Sequence, residues 1–455
     1  MTLLAEQFST LDSIVPYGVS GTVTAISGMT IEASDFPVPL GSLCAITTAS
    51  GRACEAEVIG FTSERTLLMP LAGMGGVARG DRVDATSSVP RIFCSEQLLG
   101  RVIDGFGHPT DHKGPITGGI ARRIDRKAVA PLDRAVIREP LFTGVRAIDA
   151  LHTCGTGQRM GIFSGPGVGK STLMSSIAKN TSADISVVAL IGERGREVQE
   201  FIEHALGEEG MKRCVLIIST SDDTPLLKVR AAKVACTVAE YFRDQGKNVM
   251  LMMDSLTRLA QAQRQIGLAA REPPATKGFP PSVFALIPEI LERAGKTPVG
   301  SITGFYTVLV EGDDFNEPIP DAVKGITDGH FWLNRALANV GHFPAIDMIQ
   351  SISRVRSDVA PREVVDRARR VLALLATYGE IEDLVSIGAY VAGANPQQDL
   401  ALAARPKIIE FLKQDAKLKI TGADAHKQLG ELCAVIDLLA AQKPPVAQGS
   451  QRRAN

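Results

Sequence analysis

Residues 162–174 read IFSGPGVGKSTLM. An apolar run enters a turn with glycines at 165, 167 and 169, then leaves through Lys170, Ser171 and Thr172 into further apolar residues. Alternating glycines let successive backbone N–H groups curl toward one point, and a helix beginning near Lys170 adds the partial positive charge of its N-terminus. The stretch Gly165, Pro166, Gly167, Val168, Gly169, Lys170, Ser171, Thr172 is therefore suited to hold a polyphosphate. In such a loop Lys170 reaches the β- and γ-phosphates, and Ser171 offers its hydroxyl to Mg²⁺. The strict pattern begins on glycine, where this chain has Ser164.

Two acidic positions extend this reading. In VMLMMDSLTR, Asp254 closes a strand of buried apolar type. Alone it reads equally as a helix N-cap, but beside a phosphate loop it is the acid expected to support the metal through water. In VVALIGERGREV the apolar run ends at Gly192, so Glu193 projects from the carboxyl end of its strand, the edge where such sheets bind ligands. A carboxylate there can orient the water that attacks a γ-phosphate; standing alone it would be a loop charge in an acid–base run.

Around this centre the chain falls into three parts. Residues 1–85 carry short β-rich runs punctuated by glycine (GTVTAI, MTIEA, LCAITT, CEAEVIGF, RTLLMPL), the pattern of a small antiparallel barrel. Residues 86–360 alternate buried strands (MGIFS, ISVVALI, RCVLIIS, NVMLMMD, SITGFYTVLV) with amphipathic helices such as STLMSSIAKN, REVQEFIEHAL and LLKVRAAKVACTVAEYFRDQG. That alternation builds a parallel sheet covered on both faces. Residues 361–455 show apolar positions at three- and four-residue spacing, a helical domain, before the polar tail KPPVAQGSQRRAN. The expected fold is α/β: a parallel-sheet core carrying the phosphate loop, with an N-terminal β-barrel and a C-terminal helical domain.

Composition narrows the function. With 49 basic and 50 acidic residues the net charge is −1, so no global field draws the chain onto nucleic acid or anionic lipid. The longest apolar runs fall far short of the roughly 20 residues of a membrane span. No basic region leads into a hydrophobic N-terminal segment, and a cytoplasmic protein is expected. Seven cysteines, never spaced as C-x-x-C, argue against a disulfide framework or a zinc site.

GPGVGKS, GERGREV, LMMDSLTR, AREPPATKGFPPSVFA, SITGFYTVLVEGDD, TDGHFWLNR and HFPAIDMIQSISRV, in this order, resemble the hexameric ATPases of bacterial type III protein export, themselves similar to the catalytic subunits of rotary ATP synthases. The resemblance runs from the barrel through GRVIDGFGHPTD to the C-terminal helices, and it implies that the α/β core is a P-loop NTPase of RecA-like type. It implies ATP and Mg²⁺ at 165–172, with Glu193 as the carboxylate that positions water and Asp254 supporting the metal through water. It places Arg194 and Arg258 beside the γ-phosphate or against that carboxylate, and Phe343 stacked on adenine. An apolar ring suits stacking, although a phenylalanine before proline also reads as core. Arg354 in SISRV matches an arginine finger offered to a neighbouring subunit, which implies a homohexamer.

In this family Gly195 takes the place of a threonine found in the catalytic rotary subunit, and the non-catalytic rotary subunit lacks Glu193. The resemblance thus implies a protein-transporting ATP phosphohydrolase at the base of a secretion apparatus, peripheral to the inner membrane, the flagellar machine being favoured. A virulence injectisome ATPase and a rotary synthase subunit in a mixed ring are the alternatives. Implied partners are a stator-like negative regulator, bound through apolar positions of MTLLAEQFSTLDSI (Leu3, Leu4, Phe8, Leu11, Ile14), a coiled-coil central stalk touching EGDDFNEP at 311–318, a membrane export gate, and export substrates with their chaperones. An RNA translocase shares this core fold, but residues 1–85 hold four aromatics and little basic charge, so no nucleic acid partner is expected.

Overall fold

A computed structural model describes residues 18–87, 89–310 and 317–441. The N-terminal partner segment, residues 311–316 of the acidic loop and the polar tail lie outside the described residues.

Six strands close a barrel: β1 (Ser20–Ser27), β2 (Thr30–Ser34), β3 (Leu43–Thr47), β4 (Ala53–Phe61), β5 (Thr66–Pro70) and β6 (Arg82–Ser87), in the order β1-β2-β5-β4-β3-β6. Alternate residues such as Cys54, Ala56 and Val58 on β4 point inward to meet Val23, Ile31, Ile46, Leu68 and Val83. Sequence periodicity gives five of these strands and misses β6, RVDATS, whose single fully buried side chain is Val83. Pairing β6 with both β1 and β3 closes the barrel and leaves no open edge.

The central sheet contains β7 (Val102–Ile103), β8 (Arg159–Ser164), β9 (Ile185–Glu193), β10 (Cys214–Thr220), β11 (Asn248–Asp254), β12 (Ser301–Leu309), β13 (Gly329–Leu333) and β14 (Ile346–Ser353). Their order is β14-β13-β8-β12-β11-β9-β10-β7, parallel except for β14, which runs antiparallel to β13. On β9 every residue is buried, because successive side chains enter two different cores. Val188 and Leu190 face one side with Met160, Ile162, Met250 and Phe305; Val187, Ala189 and Ile191 face the other with Phe163, Leu251, Met253 and Tyr306.

The helices that position the site are α1 (Arg146–Leu151), α2 (Lys170–Asn180), α3 (Gly195–Glu200), α4 (Pro225–Arg243), α5 (Leu256–Ala269), α6 (Arg362–Ser386), α7 (Pro396–Leu412) and α8 (Gly422–Ala441). REVQEFIEHAL, which reads as one amphipathic helix, is α3 followed by a π-helical turn over Phe201–Leu206. Helices α6 to α8 pack as a bundle whose buried residues, including Val364, Ala368, Ile408, Leu429 and Ile436, belong to the same core as Val188 and Leu190. The opposite face is covered by α4 and α5, and that core also takes in Met69 and Leu71 at the end of β5. Among the described residues no helix is long and apolar enough to cross a membrane.

Arg293 is fully buried beneath α4. Its Nε and Nη2 donate to the two oxygens of Glu240 at 2.7 and 3.0 Å, with further bonds to Thr237 Oγ1 and the carbonyl of Ile124. A buried carboxylate that loses its cation stays in low dielectric uncompensated. Arg293→Met should therefore cost roughly 3–5 kcal/mol, and adding Glu240→Leu should restore much of it. Melting temperatures of the two variants test this; a double variant no better than the single would place the loss elsewhere.

His152, buried at the end of α1, donates from Nε2 to the carbonyl of Met348 on β14 at 2.9 Å. Burial pulls its pKa down to about 4, and Arg356 and His330 nearby act the same way. Between pH 6.5 and 4 the unfolded chain thus binds a proton at this site that the native chain does not. Stability carried here is complete above pH 6.5 and is lost as pH falls toward 4. In His152→Asn the acid side of a melting-temperature profile should be flatter; an unchanged slope would exclude His152 as its source.

Candidate active site

The loop after β8 follows from its neighbours. β8 lies between β12 and β13, so its carboxyl end opens in the middle of the sheet. Gly167 and Gly169 take φ of 76° and 87°, a region that favours glycine, and α2 begins at Lys170. A side chain at Gly167 would meet nothing within 4 Å, so that glycine serves backbone conformation alone. At Gly169 a Cβ would stand 3.2 Å from the Phe343 ring, so the loop and the aromatic are in contact. Pro166, Gly167, Ser171 and Thr172 are exposed, while Gly165 and Val168 are buried. Ser164 is buried, and its hydroxyl has no hydrogen-bond partner.

Glu193 and Asp254 end neighbouring parallel strands; Leu190 on β9 pairs with Asp254 on β11, so Glu193 stands three residues further along toward the same edge. Lys170 Nζ forms a short ion pair with Asp254 Oδ1, and Thr307 Oγ1 on β12 donates to the same oxygen at 2.6 Å. Arg258, one turn into α5, donates from Nε to Glu193 Oε1 at 3.1 Å. Glu193 is 6% exposed. Burial, a hydrogen bond with Glu197 and the charge of Asp254 push its pKa up to about 7 against the opposing pull of Lys170 and Arg258. A carboxyl poised near neutrality is suited to accept a proton at working pH.

A cavity of about 380 Å³ opens here, lined by Ser171, Thr172, Glu193, Glu197 and Asp254 and closed in part by Ala416 and Lys417 from the C-terminal bundle. Phe343, 45% exposed, borders an adjoining slot with Gly169, Thr172, Gln414 and Ala416. Ser171 and Asp254 supply oxygen donors of the kind Mg²⁺ takes, and the glycine cradle fits phosphate oxygens. Among the described residues no cluster of three or more His, Cys, Asp or Glu side chains forms an all-protein metal cage.

Of the expected residues, the structure brings together the loop 165–172, Glu193, Asp254, Arg258 and Phe343. Arg194 does not join them: its side chain is 77% exposed and meets Glu197 at 3.4 Å. Arg354 stands apart altogether. It follows β14, whose last residue Ser353 pairs with Gly329, which in turn pairs with Met160 at the start of β8. The phosphate loop leaves the other end of β8, about 13 Å further along and two strand spacings of about 5 Å across. Arg354 is exposed and lies at the opposite edge of the sheet from its own chain's loop.

Sequence reasoning missed Thr307, Glu197, Gln414, Ala416 and Lys417. Thr307 sits in an apolar strand that periodicity assigns wholly to core. Glu197 lies within GERGREV, where the sequence singles out only Glu193, Arg194 and Gly195, and Gln414, Ala416 and Lys417 lie in a polar stretch without a motif, more than 240 positions from Lys170.

Two family models match the chain. Residues 144–353 fit the nucleotide-binding domain of the ATP synthase alpha/beta family, and residues 360–431 fit the T3SS EscN ATPase C-terminal domain. The flagellum-specific ATP synthase of Bacillus subtilis is 51% identical over 87% of this chain and 90% of its own. The type 3 secretion system ATPase of Sinorhizobium fredii is 46% identical over 90% of this chain and 91% of its own. The assembled ATPase EscN of the enteropathogenic E. coli type III secretion system superposes with a TM-score of 0.86 at 44% identity, covering 90% of this chain and 99% of EscN. The chain belongs to the type III export ATPases. It is an ATP-binding ATPase, and the expected architecture of a RecA-like core with an N-terminal barrel and a helical C-terminal region is the observed one.

Gly192 tests the geometry of this export ATPase. Its φ is 70°, and a Cβ there would come within 2.8 Å of Arg258 Cδ. Gly192→Ala should push Arg258 off Glu193 and lower kcat by on the order of tenfold or more. Activity at the native rate would show that the Arg258–Glu193 contact is dispensable.

Proposed function

We propose that this chain hydrolyses Mg-ATP as a homohexameric ring that energises protein export through the flagellar type III apparatus. The observation that carries the chemistry is the meeting of Lys170, Asp254, Glu193 and Arg258 at the mouth of the phosphate loop, with an exposed Arg354 on the far edge of the same sheet. The backbone of 165–169 and Lys170 hold the phosphates, and Phe343 stacks on the base. Ser171 and, through water, Asp254 would hold Mg²⁺, and the ion would supply charge that offsets the phosphate oxygens. Glu193 orients a water in line with the γ-phosphorus and accepts its proton as the bond to the bridging oxygen breaks, releasing ADP and phosphate. Arg258 holds Glu193 in place. Arg194, exposed and paired with Glu197 at the cavity rim, is given no step in this reading.

Arg354 reaches a neighbour's site, where a guanidinium stabilises charge on the transferred phosphoryl. One chain alone is then incomplete, and assembly switches activity on. The three parts divide near residues 86 and 360. The flagellar assignment is favoured by similarity to flagellum-specific relatives at up to 51% identity, against 46% for the injectisome-type relatives. EscN is also known in complex with its central stalk EscO, which supports a coiled-coil stalk partner for this chain. The remaining partners, a stator-like regulator, a membrane export gate and substrates with chaperones, and a cytoplasmic site at the inner membrane follow from the same reading.

The decisive experiment mixes two inactive variants. Lys170→Ala lacks the phosphate contact and Arg354→Ala lacks the finger; each should be inactive alone. In an equal mixture half the sites keep Lys170 and half of those meet an intact Arg354, so activity should return to up to about a quarter of the native value. A mixture as silent as its parts would refute action in trans. Glu193→Gln should bind ATP and turn over about 10²–10⁴-fold more slowly. Deletion of the gene should give cells without flagellar filaments; filamentous cells that fail in host injection would shift the assignment to the injectisome.

A further inference from the structure

The edge strand that carries Arg354 is not regular. In β14, IDMIQSIS, the alternation of buried and exposed residues breaks at Ile349 and Gln350, which are exposed one after the other. Pairing with β13 shows why. Ile346 stands opposite Leu333 and Ser353 opposite Gly329, so seven steps along β14 match four along β13. Three residues are taken up in a bulge around 348–351, opposite Phe331.

The bulge has two consequences for the arginine that follows. Without it Gln350 would stand opposite Gly329, and Arg354 would leave the sheet three residues later, about 10 Å further out. Because three is odd, the bulge also exchanges the two faces of the strand. Ile346 and Met348 are buried before it; Ser351 and Ser353 are buried after it, with Ile352 and Arg354 exposed. In an unbroken strand Arg354 would share the face of Ile346 and Met348, toward the core.

One side chain staples the bulge. Asp347 Oδ1 accepts from the backbone N–H groups of Ile349 at 3.0 Å and Gln350 at 3.1 Å, and Oδ2 accepts from Gln350 Nε2 and Asn334 Nδ2 at 3.1 and 3.2 Å. Ser351 Oγ donates to the carbonyl of Asp347 at 2.6 Å and accepts from the backbone N–H of Trp332 at 3.0 Å, replacing a ladder bond that the bulge removes. The carbonyls of Met348 and Gln350 accept from His152 and His330, each at 2.9 Å. Backbone groups that would otherwise pair with β13 are thus satisfied in the bulged form.

We propose that Asp347 is a positioning residue for phosphoryl transfer in the neighbouring subunit: it fixes the β14 bulge, and the bulge sets the reach and the outward face of Arg354. The inference rests on Arg354 acting in trans. It ties a carboxylate seven positions upstream to chemistry in another chain's site, through backbone register rather than through charge.

Asp347→Ala removes the staple, whereas Asp347→Asn keeps an oxygen for the two backbone N–H groups. In the full-length Asp347→Ala enzyme kcat should fall on the order of 10²-fold, with KM for ATP and ring assembly unchanged. Asp347→Asn should recover most of the rate. Mixed rings assign the defect to a side of the interface. Asp347→Ala with Lys170→Ala should regain up to about a quarter of native activity, since each supplies what the other lacks. Asp347→Ala with Arg354→Ala should stay silent, because neither offers a working finger. The reverse pattern, silence in the first mixture and recovery in the second, would place Asp347 in its own chain's site and overturn the proposal, as would a native rate in Asp347→Ala. Should Asp347→Ala not assemble, Ser351→Ala loosens the same bulge and must give the same pair of results for the proposal to stand. Failure of the trans reading looks different: Lys170→Ala mixed with Arg354→Ala would then itself be silent.

Discussion

Two carboxylates, Glu193 and Asp254, end adjacent parallel strands inside a mostly apolar interior, and the cations of Lys170 and Arg258 make that arrangement tolerable. Charges removed from water need partners, and here the partners come from the first turn of α2 and from α5. Those helices are aimed by the strands that precede them, so the site's electrostatics and the sheet's order are one constraint. Asp254 takes Lys170 and Thr307; Glu193, left with Arg258 and pressed by Glu197, has its pKa driven up. Two acids of the same kind at the same sheet edge thus acquire different roles from their neighbours alone. Gly192 belongs to this constraint, because only a position without Cβ leaves room for the Arg258 methylenes against the strand.

The direction of the strands governs what one chain can do. In a parallel sheet all carboxyl ends lie together, and that edge gathers the loop, Glu193 and Asp254. β14 is the exception: running antiparallel, it delivers Arg354 to the opposite edge. A strand of this length is far longer than an arginine side chain, so the separation is built into the topology. Within the proposed reading, cooperation between chains rests on one reversed edge strand.

Much of this was legible from residues. Continuous apolar runs such as ISVVALI and NVMLMMD read as buried parallel strands because both sides of each strand meet a core, and the structure sends alternate residues into two. The phosphate loop was legible because its chemistry is local: glycines, lysine and hydroxyl within eight residues, followed by a helix. β6 was not, since closing a barrel asks little hydrophobicity of the last strand when both neighbours supply the core. The π-helical turn after α3 was hidden as well, because a change from four- to five-residue hydrogen bonding leaves side-chain spacing nearly intact over one turn. Thr307, Ala416 and Lys417 had no local signal, as their roles depend on what the fold sets beside them.

The sheet's two faces also divide the labour. One is continuous with α4, α5 and the end of the barrel, which fixes Arg258 and the strand carrying Asp254. The other shares its core with α6 to α8, whose connecting turn borders the slot beside Phe343. The phosphate end of the site draws on both layers, because Val168 of the loop and Leu173, Met174 and Ile177 of α2 lie in the core shared with the helical bundle, while Leu256 and Leu259 seat α5 in the opposite one. A shift of the helical bundle against the sheet would reach the slot beside Phe343 and the main cavity alike, since Ala416 borders both. Because close-packed layers move as units, a force on the helical domain bears on both ends of the site at once, whereas a force on the barrel reaches it through the layer that carries Arg258.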